Sequence, residues 1–326
     1  MAKILSPGPT EVTVRESGGR WHTPLTRAAR QPRGTVGLML VALIVGLAVI
    51  GPFVAPHPST AFVGTPFQPP GKGLPLGADI LGRDVFSRVL AGGWRILGLA
   101  AIATVIGVFA GAAFGIFAGY SKGRIDEVVM RLLDVALAFP QIILALLLVS
   151  IIGPKPWLIV LAVAVIHAPQ VARVTRAATL RVSEEDFVKF SESIGMSRAK
   201  IMGREIFPNV VNPLMVELGL RLTYSIAIIA GLGFLGFGVQ PPAPDWGLMI
   251  NENRIGMGTN PWGVVVPVIL IAILTIGMNL YTDAIARGAL GLAEETGTAG
   301  VVADASLSSL SPPEAPGLHL PGSARP

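Results

Sequence analysis

Thr35 to Ala55 reads TVGLMLVALIVGLAVIGPFVA, an apolar run without a single charged residue. About 20 such residues, rising 1.5 Å each in a helix, cross the roughly 30 Å hydrocarbon layer of a bilayer. The run exceeds the roughly 7–15 apolar residues of a cleaved signal peptide, and 34 more polar residues precede it, so it reads as an uncleaved anchor. Five further runs follow: about Ile96 to Tyr120, Val128 to Ile152, Trp157 to Ala172, Leu214 to Gly238 and Gly263 to Ala286. The third and fifth are less clean, because Arg131, Asp134, Glu217 and Arg221 fall inside them. The expectation is an all-α, polytopic membrane bundle of six spans.

Composition points the same way. Of the 326 residues, 52% are hydrophobic and only 14% charged, against about 25% charged in an ordinary soluble domain. The mean hydropathy is +0.65. A soluble enzyme and a disordered chain are both disfavoured. The absence of cysteine removes disulfides, iron–sulfur clusters, thiolate zinc sites and thiol nucleophiles together.

The net charge of +5 is explained by topology. With a cytoplasmic N-terminus, 18 Lys and Arg residues fall in the N-tail, the second-to-third and fourth-to-fifth loops and the C-tail. Six fall on the other side: Lys72, Arg83, Arg88, Arg95, Lys155 and Arg254. That asymmetry puts both termini in the cytoplasm and favours an even number of spans. A nucleic-acid surface would need these charges on one soluble face with aromatic partners, and no such face is present. Residues 1–34 and 289–326 read as disordered cytoplasmic tails around a six-span domain at 35–288.

Several constellations stand out. Gly107, Gly111, Gly115 and Gly119 recur every four residues, so they line one helix face and admit a neighbouring backbone. That neighbour is either another helix of this chain or a partner subunit. Arg131 and Asp134, three apart, and Asp283 and Arg287, four apart, share helix faces and read as structural ion pairs near the cytoplasmic surface. Pro140 is expected to kink the third span. His167 reads as a packing residue rather than a proton relay. On the outer side Val85, Phe86 and Val89 are expected on a short helix facing lipid, and Asp245, Glu252 and Asn253 in a hydrated loop, within reach of an outer partner.

The cytoplasmic loop at 173–212 is the most informative. Ser183 followed by Asp186 resembles a capping box. Phe187, Phe190 and Ile194 then form an apolar stripe on a short, otherwise polar helix. Gly195 suits the left-handed stop of that helix, Ser197 caps a second one, and Pro208 is expected at its end. The exposed stripe fits docking to a partner or a helix lying on lipid. No Gly-x-x-x-x-Gly-Lys-[Ser/Thr] loop, His-Glu-x-x-His or Gly-x-Ser-x-Gly occurs, and the four histidines (His22, His57, His167, His319) are scattered.

The loop DFVKFSESIGMSRAKIMGREIFPN resembles the "EAA" loop of bacterial ABC-importer permeases, with Gly195 and Pro208 in the places of its glycine and proline. PLGADILGRDVFSRVLAGG (Pro75 to Gly93), GLGFLGFGVQPPAPDWGLMI (Gly231 to Ile250) and NLYTDAIARGAL resemble the second permease subunit of dipeptide, oligopeptide and nickel importers. The resemblance spans about Gly34 to Leu290 and implies a type I importer permease fold in the inner membrane. It implies a sister permease, two ABC ATPase subunits, an extracytoplasmic solute-binding protein and surrounding lipid as partners. It also implies no cofactor or metal in this chain, with ATP-Mg held by the ATPases, and no enzymatic activity of its own. The ATPase-coupling interface would comprise Asp186, Phe187, Lys189, Phe190, Ser191, Ile194, Gly195, Ser197 and Pro208. One departure is visible: the family's Glu-Ala-Ala falls on Lys189, Phe190 and Ser191, which implies a complementary change in the partner surface. The alternatives from other classes are a stand-alone secondary transporter, which usually shows repeated halves and midplane charges, and a membrane-embedded enzyme.

Overall fold

Met39, Leu43, Phe53, Phe109 and Leu132 each leave 61% or more of their surface uncovered, the inverse of a soluble protein and the expected outside of a membrane bundle. In the computed structural model, which describes residues 28, 29 and 31–289, the regular structure is helical. The helices are α1 (Pro32–Val54), α2 (Val85–Ser121), α3 (Gly123–Leu137), α4 (Gln141–Ile152) and α5 (Pro156–Val182). They continue with α6 (Asp186–Ser193), α7 (Arg198–Phe234), α8 (Trp246–Asn253) and α9 (Trp262–Ala289). Five are long and apolar enough to span a bilayer, and α3 with α4 supplies a sixth, broken span. The expected tails lie almost wholly outside the described residues.

The central contact joins α2 to α5. A Cβ on Gly107 would lie 3.0 Å from the Ala164 carbonyl oxygen, on Gly111 2.6 Å from that of Ala168, and on Gly115 2.6 Å from that of Ala172. On Gly119 it would meet the Thr179 Cβ at 2.9 Å. The first three contacts advance by four residues on both helices, so α2 and α5 run parallel with backbone against backbone. The glycine stripe is therefore filled by a helix of the same chain. Gly37 and Gly277 do the same for α1 against α9.

One expectation about spans is met and two are corrected. The kink expected at Pro140 is a bend of 86° between α3 and α4, because Pro140 cannot donate to the ladder and bars α geometry at the residue before it. The short outer helix is the first part of α2, and Val85 and Val89 are 0% and 3% exposed rather than facing lipid. Pro208 does not end a helix: α7 runs through it after a π-helical turn at Ile201–Ile206. The wider turn precedes the missing N–H and relieves the clash that proline imposes on the preceding turn.

The end of the bundle away from α6 is closed by a buried ionic knot. The Arg83 Nε donates to Asp79 (2.6 Å), its Nη2 to Glu252 (2.8 Å), and the Arg88 Nη2 to Glu252 (3.0 Å). Asp84 caps α2 through the Phe86 and Ser87 amides. The Asn260 amide donates to the carbonyls of Leu76 and Ala78, and the Trp246 indole donates to the Val89 carbonyl (2.9 Å). Asp245 and Asn253, expected in a hydrated loop, are each 1% exposed, and the Glu252 side chain is only 13% exposed. The reason differs for each: Glu252 accepts from Arg83 and Arg88, Asn253 accepts from the Ile80 amide and donates to the Met249 carbonyl, and Asp245 caps α8. Asp245 accepts from the Gly247 and Leu248 amides at its N-terminus.

Two consequences are testable. Gly111→Val should cost about 1–3 kcal/mol of stability by overpacking, whereas Gly46→Val, with nothing within 4 Å of an added Cβ, should cost little. Thermal unfolding in detergent measures both. Burial pushes the Asp245 carboxyl up to about 6, against the two amide bonds that favour its ionised form. Its folded value exceeds the unfolded one near 3.9. The extra stability is therefore full below about pH 4 and is lost as pH rises through 6, on the order of 2–3 kcal/mol. Asp245→Asn should keep the cap and flatten that part of the pH–stability curve relative to the parent.

Candidate functional site

The segment between α5 and the membrane-spanning part of α7 projects from the end of the bundle opposite the ionic knot. The capping box does not form. Ser183 is the C-cap of α5, its amide bonded to the Thr179 carbonyl (2.8 Å) and its hydroxyl to that of Leu180 (2.9 Å). Glu185 takes the N-cap position of α6 without a side-chain cap. The stop of α6 follows the sequence: Gly195 has φ +78°, its amide meets the Glu192 carbonyl (3.0 Å), and the Met196 amide meets that of Ser191 (3.1 Å). These paired bonds define a left-handed helix stop that glycine supplies without steric cost. Ser197 starts the next helix through its carbonyl, which accepts from the Lys200 and Ile201 amides; its hydroxyl makes no cap bond.

α6 has two faces. Val188 (0% exposed) and Ser191 (6%) face inward, and Val188 packs in a cluster with Ile201, Ile206 and Val210. Phe187, Phe190 and Ile194 face outward, 40%, 66% and 60% exposed. Lys189 stands beside them, 3.9 Å from the freely exposed Asp186, a pair too solvated to matter for stability. The family-variant positions thus divide: Ser191 is small because it packs inside, while Lys189 and Phe190 are presented outward. Two bonds hold α6 to the end of α2. The Tyr120 hydroxyl donates to Glu192 (2.8 Å), and the Lys122 ammonium meets Glu184 (2.7 Å), holding that carboxyl below its usual range. Pro208 lies exposed on α7 where the projection meets the bundle.

The ion pairs are rearranged relative to the sequence expectation. Arg131 pairs with Glu127, one turn back on the outer face of α3, and not with Asp134. Asp134 turns toward α5 and accepts from Arg173 (2.6 Å), and Asp126 accepts two bonds from Arg176. These cross-helix pairs pin α3 to α5. Among the described residues no ion pair joins Asp283 and Arg287; they share a helix face, but Asp283 is exposed and holds no fixed partner.

A polar seam that sequence reasoning took only in fragments runs through the middle of the bundle. His167 of α5 is fully buried, and its Nε2 lies 2.9 Å from the Ser225 hydroxyl, which lies 2.8 Å from that of Thr104. One turn away the Arg221 Nε donates to Glu217 (2.9 Å) and its Nη1 to the Gln170 side-chain oxygen. The signals in the sequence were His167 in an apolar stretch and a pair of charges four apart inside an apolar run, Glu217 and Arg221. Their partners come from elsewhere in the chain. Among the described residues no group of three or more His, Cys, Asp or Glu is placed to hold a metal.

The chain matches the family "Binding-protein-dependent transport system inner membrane component" over residues 111–290. It belongs to that family. Residues 19–70 match the N-terminal transmembrane domain of oligopeptide transport permease C. The glutathione transport system permease protein GsiD of Escherichia coli O157:H7 is 35% identical over 265 residues, covering 81% of this chain and 88% of that protein. The same protein of Shigella boydii serotype 4 matches equally. Among solved structures, an inward-facing form of the MetNI methionine ABC transporter aligns with a TM-score of 0.51 at 18% identity. It covers 62% of this chain and 96% of that one, a likeness of fold. The chain is thus a permease subunit of an ABC importer with the type I permease fold, a multi-pass protein of the inner membrane. Nothing in these relatives favours a stand-alone secondary transporter.

Proposed function

We propose that this permease pairs with a sister permease and carries peptides or a similar small solute. The relatives named as glutathione permeases support a short, peptide-like acid. An extracytoplasmic binding protein delivers the solute to the end closed by the ionic knot. Two ATPase subunits bind and hydrolyse ATP-Mg, while this chain holds no cofactor and catalyses nothing. The excess of Lys and Arg at the α6 end supports a cytoplasmic location for that end and for both termini.

The single observation that carries this reading is α6. It is a short helix with one packed face and one apolar face left uncovered by the rest of the chain, braced at both ends. A helix so held transmits displacement instead of bending. Closure of the ATPase dimer moves α6, and with it α2 and α5, so that the bundle alternates between inward and outward openings.

Gly195→Ile tests the coupling. An added Cβ meets nothing within 4 Å, so the cost is purely the positive φ, about 1–2 kcal/mol for a residue with a side chain and more when β-branched. The reconstituted complex should still hydrolyse ATP while solute uptake per ATP falls severalfold. Uptake equal to the parent would remove α6 from the coupling path.

A further inference from the structure

Arg221 and Tyr224 lie near the middle of the Phe207–Phe234 stretch of α7, and Gln170 lies at the middle of α5. Counted from the outer ends of α7 and α5, these groups sit about 15–20 Å deep, from the bilayer midplane to a few ångströms on its cytoplasmic side. Ionisable groups at that depth are expensive, and as a rule they serve a water-filled cavity or a conducted solute.

The guanidinium is oriented but not exhausted. Its Nε is held by Glu217 and its Nη1 by Gln170. Among the described residues, Nη2 makes no hydrogen bond. The Tyr224 ring stacks 5.3 Å from the guanidinium carbon, and Tyr224 is 50% exposed. A phenol half-exposed to hydrocarbon at mid-depth would leave its hydroxyl without a partner, a cost of several kcal/mol. Tyrosines that touch lipid sit at the interfaces instead. The large side chains exposed on α1 (Met39, Leu43 and Phe53 among them) are all apolar. The Tyr224 side of α7 is therefore not a lipid face. Above Tyr224 on that side stands Ala227, small and exposed, before Gly231 packs against Ile142 of α4.

We propose that the free edge of the Arg221 guanidinium, beside the Tyr224 ring, is a midplane station in the solute path that receives a carboxylate of the passing solute. The proposal rests on the importer reading. Glu217 compensates the cation when the station is empty, which makes it affordable in the membrane. It also keeps the hold on a carboxylate weak enough for release, as conduction requires. Glu217 and Gln170 together fix the fork and leave Nη2 as its open edge.

The natural lack of cysteine gives a direct test. Tyr224→Cys and Ala227→Cys each place the sole thiol of this chain beside the station. The full complex in proteoliposomes, turning over ATP with its binding protein, is treated with anionic sulfonatoethyl or cationic trimethylammonioethyl methanethiosulfonate. Labelling of this chain is read by mass spectrometry, with rates normalised to a small free thiol. Both thiols should react far faster than Met39→Cys on the lipid face, with the anionic reagent favoured about tenfold. Adding Arg221→Gln should abolish that preference. Rates no faster than Met39→Cys at both positions, or a charge preference that survives Arg221→Gln, would overturn the proposal. ATP-driven uptake by the parent complex is measured first, so failure of the importer reading would show there and not in the labelling.

Discussion

The approach of α2 to α5, backbone on backbone, governs the rest of the molecule. In a bilayer no hydrophobic force drives helices together, so close van der Waals contact must supply the association. Four glycines at four-residue spacing on α2 meet Ala164, Ala168, Ala172 and the Arg176–Thr179 turn of α5. Every functional element hangs from this pair. α5 leads directly into α6, and the end of α2 braces α6 through Tyr120 and Lys122. α3 is clamped to α5 by Asp126–Arg176 and Asp134–Arg173. The chain path from α6 to the central pair is short: only Ser183 to Glu185 separate α5 from α6.

The polar groups of this low-charge chain are concentrated at three depths, each with its own physical logic. At one end Asp79, Arg83, Arg88 and Glu252 neutralise one another in a buried knot that fixes α8 and the long segment between α1 and α2. Removing a single partner there would strand a buried charge, which costs more than the intact network contributes. At mid-depth Glu217, Arg221 and Gln170 form a smaller set with one open edge. At the other end the pairs are solvated and position α3 and α6 without contributing much energy.

Much of this was legible in the sequence. The unbroken apolar runs, the four glycines, the Phe187–Phe190–Ile194 stripe and the helix stop at Gly195 are all local signals, set by periodicity and backbone sterics. The errors share a cause. Averaging hydropathy from Val128 to Ile152 merged an amphipathic helix with an apolar one across Pro140. Arg131 was paired with Asp134 by spacing alone, while the competing partners Glu127 and Arg173 offered better geometry. Ser183 was read as opening a helix that it in fact closes. The buried state of Asp245, Glu252 and Asn253 depends on segments more than 150 residues away, and no local pattern encodes it.

On the proposed reading, the uncovered face of α6 meets the ATPase. Replacing Phe190 with a photo-reactive benzoylphenylalanine and irradiating intact native membranes tests this most directly, because the side chain already points outward and 66% of its surface is free in the chain alone. A cross-link to a nucleotide-binding ABC subunit is expected, recovered and sequenced by mass spectrometry. Adducts with lipid alone would mean that α6 lies on the membrane surface, and the coupling account would fail.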